Sequence, residues 1–134
     1  MLLDHVDRNR MSRFTGIDIS PVAIDRARSL EDESVRFYCA EAQSFATSET
    51  FGAIVFNEML YYLHEPLAVV RRFEHALSPG GWFIVSMFAG LHTGAARHIW
   101  KGLERRYEVV AHARIRPRRS YVWDVKVLTV PTHA

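Results

Sequence analysis

Polar side chains follow three segments that are rich in β-forming residues, each at the point where the segment ends. Asp18 ends the segment RFTGID, Glu41 follows VRFYC, and Asn57 follows FGAIVF directly. In open α/β sheets, ligands bind beyond the carboxyl ends of the strands, so a binding site is expected at these positions. Asp18 can accept hydrogen bonds from both hydroxyls of a ribose. Ile19 can pack on the face of an adenine, and Glu41 can accept a hydrogen bond from the adenine amino group.

Each position also has a purely structural interpretation. An aspartate that precedes Ser20 and Pro21 is an ordinary residue at a helix start, where backbone N–H groups lack partners. Glu41 can be a solvated loop carboxylate, and Asn57 can satisfy loop backbone groups. Polar groups at the tip of a buried strand must find partners or a pocket, which favours pocket lining for Asn57. The ribose contact is favoured for Asp18, and both interpretations stay open for Glu41.

The segments around these residues alternate between strand and helix. The run FGAIVF is almost continuously apolar, which suits a strand buried on both faces of a parallel sheet. From Tyr107 to Ile115 apolar and polar residues alternate, so one face of that strand is expected to pack and the other to meet solvent. The sequence predicts an α/β domain with a mostly parallel sheet and a C-terminal antiparallel hairpin. The predicted strands are Arg13–Ile19, Val35–Cys39, Phe51–Phe56, Trp82–Met87, Tyr107–Ile115 and Tyr121–Val130, and the predicted helices begin at Ser20-Pro21, at Pro66 and after Gly90.

The composition excludes several classes of protein. Of 134 residues, 49% are hydrophobic and 24% are charged, which predicts one soluble globular domain over residues 1–134. The 17 Lys and Arg residues against 15 Asp and Glu give a net charge of +2, which gives no indication of nucleic-acid binding. A single cysteine, Cys39, forms no internal disulfide, and no Cys/His spacing is typical of a metal site. No apolar run reaches the roughly 18 residues of a membrane helix, and no signal peptide is evident, so a cytoplasmic protein without membrane contact is expected.

Four motifs, in order and in register, resemble those of class I S-adenosylmethionine-dependent methyltransferases. They are FTGIDIS at residues 14–20, the loop of Glu41, FGAIVFNEMLYYLHEP at residues 51–66, and LSPGGWFIVSMF at residues 77–88. The run NEMLYYL, followed by the SMF strand and a helix with Ile99 and Trp100, is most similar to the nodulation-protein-S-like small-molecule methyltransferases. The resemblance implies a Rossmann-like fold, S-adenosylmethionine as cofactor, and methyl transfer to an N- or O-nucleophile of a small-molecule substrate.

The resemblance also implies which residues contact the cofactor. Asp18 would bind the ribose, and Ile19 and Ala42 would flank the adenine. Glu41 would lie near the adenine amino group, and Asn57 would lie by the methionine end.

The acceptor side would be formed by the residues after Asn57. The resemblance places Tyr61, Tyr62 and His64 there, although they could equally be a loop that packs on the sheet. In-line positioning of the acceptor supplies much of the rate of a methyl transfer, so a dedicated base is not always needed. If a side chain does act as the base, the candidates are Glu58, Tyr61 and His64. Their spacing in the sequence does not favour one of them over the others. The arginines of the C-terminal hairpin are expected to be a solvated face, with an anionic substrate or partner as the alternative: Arg114, Arg116, Arg118 and Arg119.

The first residues depart from the family at its glycine-rich motif. The acidic ribose contact normally lies about 20 residues after that motif, yet only 17 residues precede Asp18 and none of the first 15 is glycine. In a complete methyltransferase the absent strand is central, between the strands that end at Asp18 and Phe56, so we expect an N-terminally truncated, partial domain. We expect those two strands to pair directly, or to be completed by a second chain in a homodimer. The chain alone is expected to bind the cofactor weakly or not at all.

Two other classes of function stay open. A nicotinamide-dependent enzyme would also use an acid such as Asp18, but it needs the same glycine loop, and FNEMLYYL with LSPGG fits it poorly. A non-catalytic, truncated methyltransferase-like domain that acts as a binding or assembly partner is the stronger alternative, because the backbone donors of the glycine loop are absent.

Overall fold

The computed structural model describes residues 5–90 and 94–132 of the chain. The chain folds as two compact units, residues 1–46 and residues 47–134. Each unit has its own hydrogen-bonded sheet. A single domain over residues 1–134 stays a prediction. No helix in the described part is long and apolar enough to cross a membrane.

The first unit contains two parallel strands joined by a helix. Its elements are β1 (Phe14–Asp18), α1 (Pro21–Ala27), a 3-10 turn (Arg28–Leu30) and β2 (Val35–Cys39). Ser20 caps the helix, because its Oγ accepts the backbone N–H of Ala23 at 3.2 Å, and Pro21 occupies the first turn. The predicted parallel pairing of these strands is confirmed, with Asp18 opposite Cys39 at their carboxyl ends.

The apolar face of α1 packs on the two strands. Ile24 and Ala27 of the helix are buried together with Val35 and Phe37 of β2. Gly16 on β1 permits this packing, because a Cβ at that position would lie only 2.6 Å from Cδ1 of Phe37. The sequence spacing predicted a face of Ala23, Ala27 and Leu30. Ala27 is buried and Leu30 is partly buried, but Ile24 is buried in place of Ala23, which is exposed.

The second unit contains a four-stranded sheet with the strand order β3-β4-β6-β5. Its elements are β3 (Phe51–Asn57), a 3-10 turn (Leu60–Tyr62), α2 (Pro66–Arg72), a 3-10 turn (Phe73–Ala76), β4 (Leu77–Phe88), α3 (Gly94–Arg106), β5 (Glu108–Arg118) and β6 (Tyr121–Thr129). Strands β3 and β4 are parallel, and β6 is antiparallel to both β4 and β5. The predicted parallel strands and the predicted C-terminal hairpin are both confirmed.

The fourth strand begins earlier than the sequence predicted. Leu77 already pairs with Phe51, and the register then shifts before Trp82 pairs with Ala53. Gly80 lies within this irregularity with a φ of 74°, a backbone conformation that favours glycine. The Pro-Gly-Gly segment is therefore an interruption inside β4 and does not precede it.

An aromatic cluster forms the centre of the second unit. The ring of Phe56 lies 5.7 Å from that of Phe73 and 5.8 Å from that of Phe83, and Phe83 lies 5.4 Å from Tyr107. Phe83 is fully buried, whereas its neighbour Trp82 is 50% exposed, because successive side chains of a strand point to opposite faces. The other buried residues of this unit include Leu60, Val69, Val70, Val85, Met87, Ile99, Leu103 and Leu128.

Strand β5 corrects one expectation. We predicted that one face of this strand packs, yet all eleven of its residues are exposed. The strand lies at the edge of the sheet, and its register shifts between Val109 and Ala111. A bulge interrupts the alternation of the two faces, so the apolar positions do not form one continuous buried stripe.

Direct pairing of the strands that end at Asp18 and Phe56 is a second expectation that was wrong. Within the described residues β1 pairs with β2 and β3 pairs with β4, in two separate sheets. In the part of the chain that the structure describes, β1 and β3 are edge strands with one hydrogen-bonded neighbour each. Completion of the sheet by a second chain stays a prediction.

Candidate functional site

Asp18 has the structural role that its sequence position allowed, and its contact with a ribose stays a prediction. Its Oδ1 accepts the backbone N–H of Ser20 at 2.8 Å, which supports the start of α1. The residue is exposed, and its Oδ2 has no hydrogen-bond partner in the described part of the chain. The turn at Ser20 therefore orients the carboxylate while one oxygen remains available to a ligand.

The loop after β2 lies beside the end of β1. The backbone N–H of Ala40 donates to the carbonyl oxygen of Asp18 at 3.0 Å, and the carbonyl of Glu41 accepts the N–H groups of the turn that follows. Ala42 is buried, whereas Ile19 is 71% exposed. A single exposed apolar side chain is common on protein surfaces, so the contact of Ile19 with an adenine stays a prediction. The structure thus brings Asp18, Ile19, Glu41 and Ala42 to one end of the first unit's sheet.

In the second unit, Asn57 is held by a hydroxyl on the neighbouring strand. Its Oδ1 accepts a hydrogen bond from Oγ of Ser86 at 2.8 Å, and the same Oγ lies 3.2 Å from the backbone nitrogen of Glu58, which donates to it. Ser86 is not among the site residues predicted from the sequence. Its signal was present, because it is the only hydroxyl residue in the run WFIVSMF.

Glu58 is the most unusual residue of this region. Its φ is 54°, a left-handed conformation that is uncommon for residues other than glycine. Its Oε2 accepts the hydroxyl of Tyr61 at 2.6 Å and the backbone N–H of Phe88 at 3.1 Å. Its Oε1 is buried and has no hydrogen-bond donor within the described residues. Backbone strain and an unpaired buried oxygen are both unfavourable, and such features cluster at functional sites.

The two other candidate bases differ from Glu58. Burial, and then the hydrogen bond to Glu58, raise the pKa of Tyr61 well above its ordinary value, so this phenol stays protonated and acts as a donor. His64 is exposed and makes no hydrogen bond or ion pair within the described residues. Tyr62 is 80% exposed, with its ring 4.7 Å from that of Tyr61. The geometry therefore favours Glu58 over Tyr61 and His64 as an acceptor of a proton.

The candidate residues occupy the carboxyl ends of two pairs of parallel strands. Asp18 and the Glu41 loop lie at the end of the β1–β2 pair, and Asn57 and Glu58 lie at the end of β3, which pairs with β4. The clustering of all of these residues in one site stays a prediction. Across residues 5–90 and 94–132, no group of three or more His, Cys, Asp or Glu side chains is arranged to hold a metal ion.

Comparisons with known proteins agree with this architecture. The sequence model of a family described as a methyltransferase domain matches residues 2–85. Nodulation protein S of Rhizobium fredii is 37% identical over 78 residues, which cover 54% of this chain and 44% of that protein. The chain thus spans less than half the length of this curated relative.

Two solved structures share the fold. The N-methyltransferase NodS from Bradyrhizobium japonicum WM9, in complex with S-adenosyl-L-homocysteine, has a TM-score of 0.75 and 23% identity, with coverage of 90% of this chain and 67% of that chain. The [4+2]-cyclase SpnF has a TM-score of 0.76 and 17% identity, with coverage of 98% and 70%. At these identities the likeness shows the fold, which is the Rossmann-like class I fold that the motifs predicted.

Proposed function

The chain belongs to the methyltransferase domain family, and we propose that it functions in the S-adenosylmethionine-dependent transfer of a methyl group to a nitrogen or oxygen of a small-molecule acceptor. The observation that carries this proposal is Glu58 at the end of β3, with its left-handed backbone and its unpaired buried oxygen. This strained acidic residue lies at the end of a parallel strand, and α/β folds bind their ligands at such strand ends.

The first unit supplies groups that fit the adenosine part of the cofactor. Asp18 offers Oδ2 to the ribose hydroxyls, while the N–H of Ser20 holds Oδ1 in place. Ile19 offers an exposed apolar surface to the adenine, and Glu41 is an exposed carboxylate beside it in the fold. When bound, S-adenosylmethionine supplies an electrophilic methyl group attached to a sulfonium sulfur.

The second unit supplies the groups for the acceptor. Glu58 is the acid proposed to take up the proton of the acceptor, and this step requires a movement of its turn, because Oε1 is buried in this structure. Tyr61 and the backbone N–H of Phe88 fix the other oxygen, so the carboxylate is oriented before a ligand arrives. Asn57, held by Ser86, lies next to it in the chain and would meet the methionine end of the cofactor. Fixed groups of this kind favour the in-line geometry that the transfer needs.

A second candidate is a non-catalytic domain that binds or assembles with another chain. One observation favours it: β1 and β3 each have one hydrogen-bonded neighbour within the described residues. The fold itself does not decide between the candidates, because it also occurs in a [4+2]-cyclase. Unpaired strand edges are surfaces on which another chain can add a strand.

One experiment separates the two candidates. The protein is incubated with S-adenosylmethionine that carries a radiolabelled methyl group and with a panel of small amines and alcohols. In a version of the enzyme that includes the glycine-rich segment, we expect label transfer to an acceptor, a loss of roughly a hundredfold in rate for Glu58→Gln, and little change for Glu65→Gln, which replaces an exposed glutamate without a side-chain capping bond. The chain alone is expected to bind the cofactor weakly and to transfer little label. Binding of S-adenosylhomocysteine without any transfer would favour the non-catalytic domain.

A further inference from the structure

A cavity of about 490 Å³ lies within the second unit, between α3 and the β5–β6 hairpin. Its volume falls in the range of pockets that bind small molecules. Its lining combines an aromatic ring, two small residues and six charged side chains, four of them cationic and two anionic. The lining residues are Ala89, Ala96, Arg97, Trp100, Lys101, Glu104, Arg114, Asp124 and Lys126.

Two of the cations are neutralised by the two acids of the cavity. Arg114 binds Asp124 through two hydrogen bonds, at 2.8 and 3.0 Å, and Asp124 is 7% exposed. The hydrogen bond from Arg114 lowers the pKa of Asp124, so this acid is ionised at neutral pH. Lys126 forms an ion pair with Glu104. His112 on β5 also lies close to Asp124, with its Nε2 3.2 Å from Oδ1. The two acids therefore offset the charges of Arg114 and Lys126.

The remaining cations, Arg97 and Lys101, have no counter-ion among residues 5–90 and 94–132. They are four residues apart on α3 and therefore lie on the same face, one turn from each other. Neither makes a hydrogen bond or an ion pair within the described residues. Like charges at this spacing repel each other, so a bound anion would relieve an unfavourable interaction. The cavity thus has an excess of positive charge concentrated on one of its walls.

We propose that this cavity binds a small anion that carries a carboxylate or phosphate group, with Arg97 and Lys101 as its direct ligands. The guanidinium of an arginine matches the two oxygens of a carboxylate or phosphate, and the ammonium of a lysine adds a point charge. Trp100, which is 8% exposed, and the methyl groups of Ala89 and Ala96 form apolar parts of the wall. The site therefore also suits an organic anion with an apolar portion.

Nuclear magnetic resonance on the full chain tests this proposal. The ¹⁵N-labelled protein is titrated with inorganic phosphate, phenyl phosphate and benzoate, in separate arms that distinguish a free inorganic ion from organic anions. We expect saturable shifts of the indole N–H of Trp100, which borders the cavity, and none of Trp82, which does not. Arg97→Gln and Lys101→Gln should each weaken binding about tenfold. Arg105→Gln removes one positive charge from the same helix outside the cavity and should change the affinity less than about twofold.

Two results would overturn the proposal. One is the absence of saturable shifts at Trp100 with all three anions. The other is an equal loss of affinity in Arg105→Gln and Lys101→Gln, because that would indicate an effect of overall charge. The three variants replace exposed side chains, so circular dichroism should show unchanged folding. Raising the NaCl concentration to about 0.5 M should weaken the binding, since salt screens attraction between charges.

Discussion

Tyr61 donates its hydroxyl hydrogen to Oε2 of Glu58 across 2.6 Å, and the same oxygen accepts the backbone N–H of Phe88 at 3.1 Å. One carboxylate thus connects the end of β3, the turn that follows it and the end of β4. The connection joins residues 30 positions apart in the chain. It leaves the second oxygen of Glu58 buried and unpaired, which makes this acid the centre of the proposed acceptor site.

Removal of the Tyr61 hydroxyl should destabilise the protein. Tyr61→Phe deletes one hydrogen bond to a carboxylate that is already short of donors, so the free energy of unfolding should fall by about 1–2 kcal/mol. Urea denaturation followed by circular dichroism measures this change. Tyr121→Phe is the matched control, because that ring is 50% exposed and its hydroxyl has no hydrogen bond within the described residues. Equal effects of the two substitutions would contradict the role of the Tyr61–Glu58 hydrogen bond.

The same pair should give the protein a dependence on alkaline pH. Folding raises the pKa of Tyr61, so its contribution to stability is complete below about pH 10, the ordinary value, and is lost as the pH rises above it. We expect the Tyr61→Phe variant to lose less stability than the wild type above this pH. Thermal denaturation between pH 9 and about pH 11 tests the difference. Parallel curves for the two proteins would mean that Tyr61 does not titrate differently in the folded state.

Glu74 should contribute to stability at neutral pH and lose its effect in acid. It accepts hydrogen bonds from Arg106 at 2.7 and 2.9 Å and from the Tyr107 hydroxyl at 2.6 Å. The bond from Arg106, more than that from Tyr107, lowers the pKa of Glu74 below its ordinary value of 4.5. Its contribution is therefore present above that pH and is lost as the pH falls below it. Glu74→Gln should flatten the acid limb of the stability curve, whereas Glu108→Gln, on exposed β5, should leave it unchanged.

Asp18 can be tested in a way that separates ligand binding from helix capping. In a version of the enzyme that includes the glycine-rich segment, Asp18→Ala should weaken cofactor binding by roughly 1.5–3 kcal/mol in calorimetry with S-adenosylhomocysteine, the scale of hydrogen bonds to a charged group. Asp18→Asn keeps an oxygen for the N–H of Ser20 but removes the charge, so it should also weaken binding. Normal affinity in Asp18→Asn would leave Asp18 with the capping role alone. Asp25→Ala, an exposed acid on α1, is the control.

The two faces of the second sheet should differ in their tolerance of a smaller side chain. Val85 on β4 is fully buried, whereas Val55 on the adjacent strand β3 is 38% exposed. Val85→Ala should lower the free energy of unfolding by roughly 2 kcal/mol, because it removes buried methyl groups and leaves a cavity. Val55→Ala makes the same chemical change and should have less than half that effect. Chemical denaturation of both variants measures the contrast, and similar losses would show that the face bearing Val55 is also packed.

The local order of the elements could be predicted from the sequence. Ser20 and Pro21 define the start of α1 because capping and a fixed φ act within a few residues. The apolar run FGAIVF predicts a strand in a parallel sheet, and the hairpin follows from β-branched residues on both sides of a turn. Because polar residues follow the strands directly, the sequence also predicted that Asp18, Glu41 and Asn57 lie at strand ends.

Tertiary structure alone decided which polar atoms have partners and which strands are covered. The chain position of Glu58 does not indicate that Phe88 will donate to one of its oxygens and leave the other unpaired, because that contact joins the ends of two strands. The alternation in β5 predicted a packed face, but burial depends on what covers a strand, and this one lies exposed at an edge. In the sequence, Arg97 and Lys101 are indistinguishable from ordinary solvated helix residues. In the described structure the other cations of the cavity are paired, Arg114 with Asp124 and Lys126 with Glu104, whereas these two are not. Local patterns determine backbone conformation within a few residues, whereas burial and ion pairing depend on residues that folding brings together from distant parts of the chain.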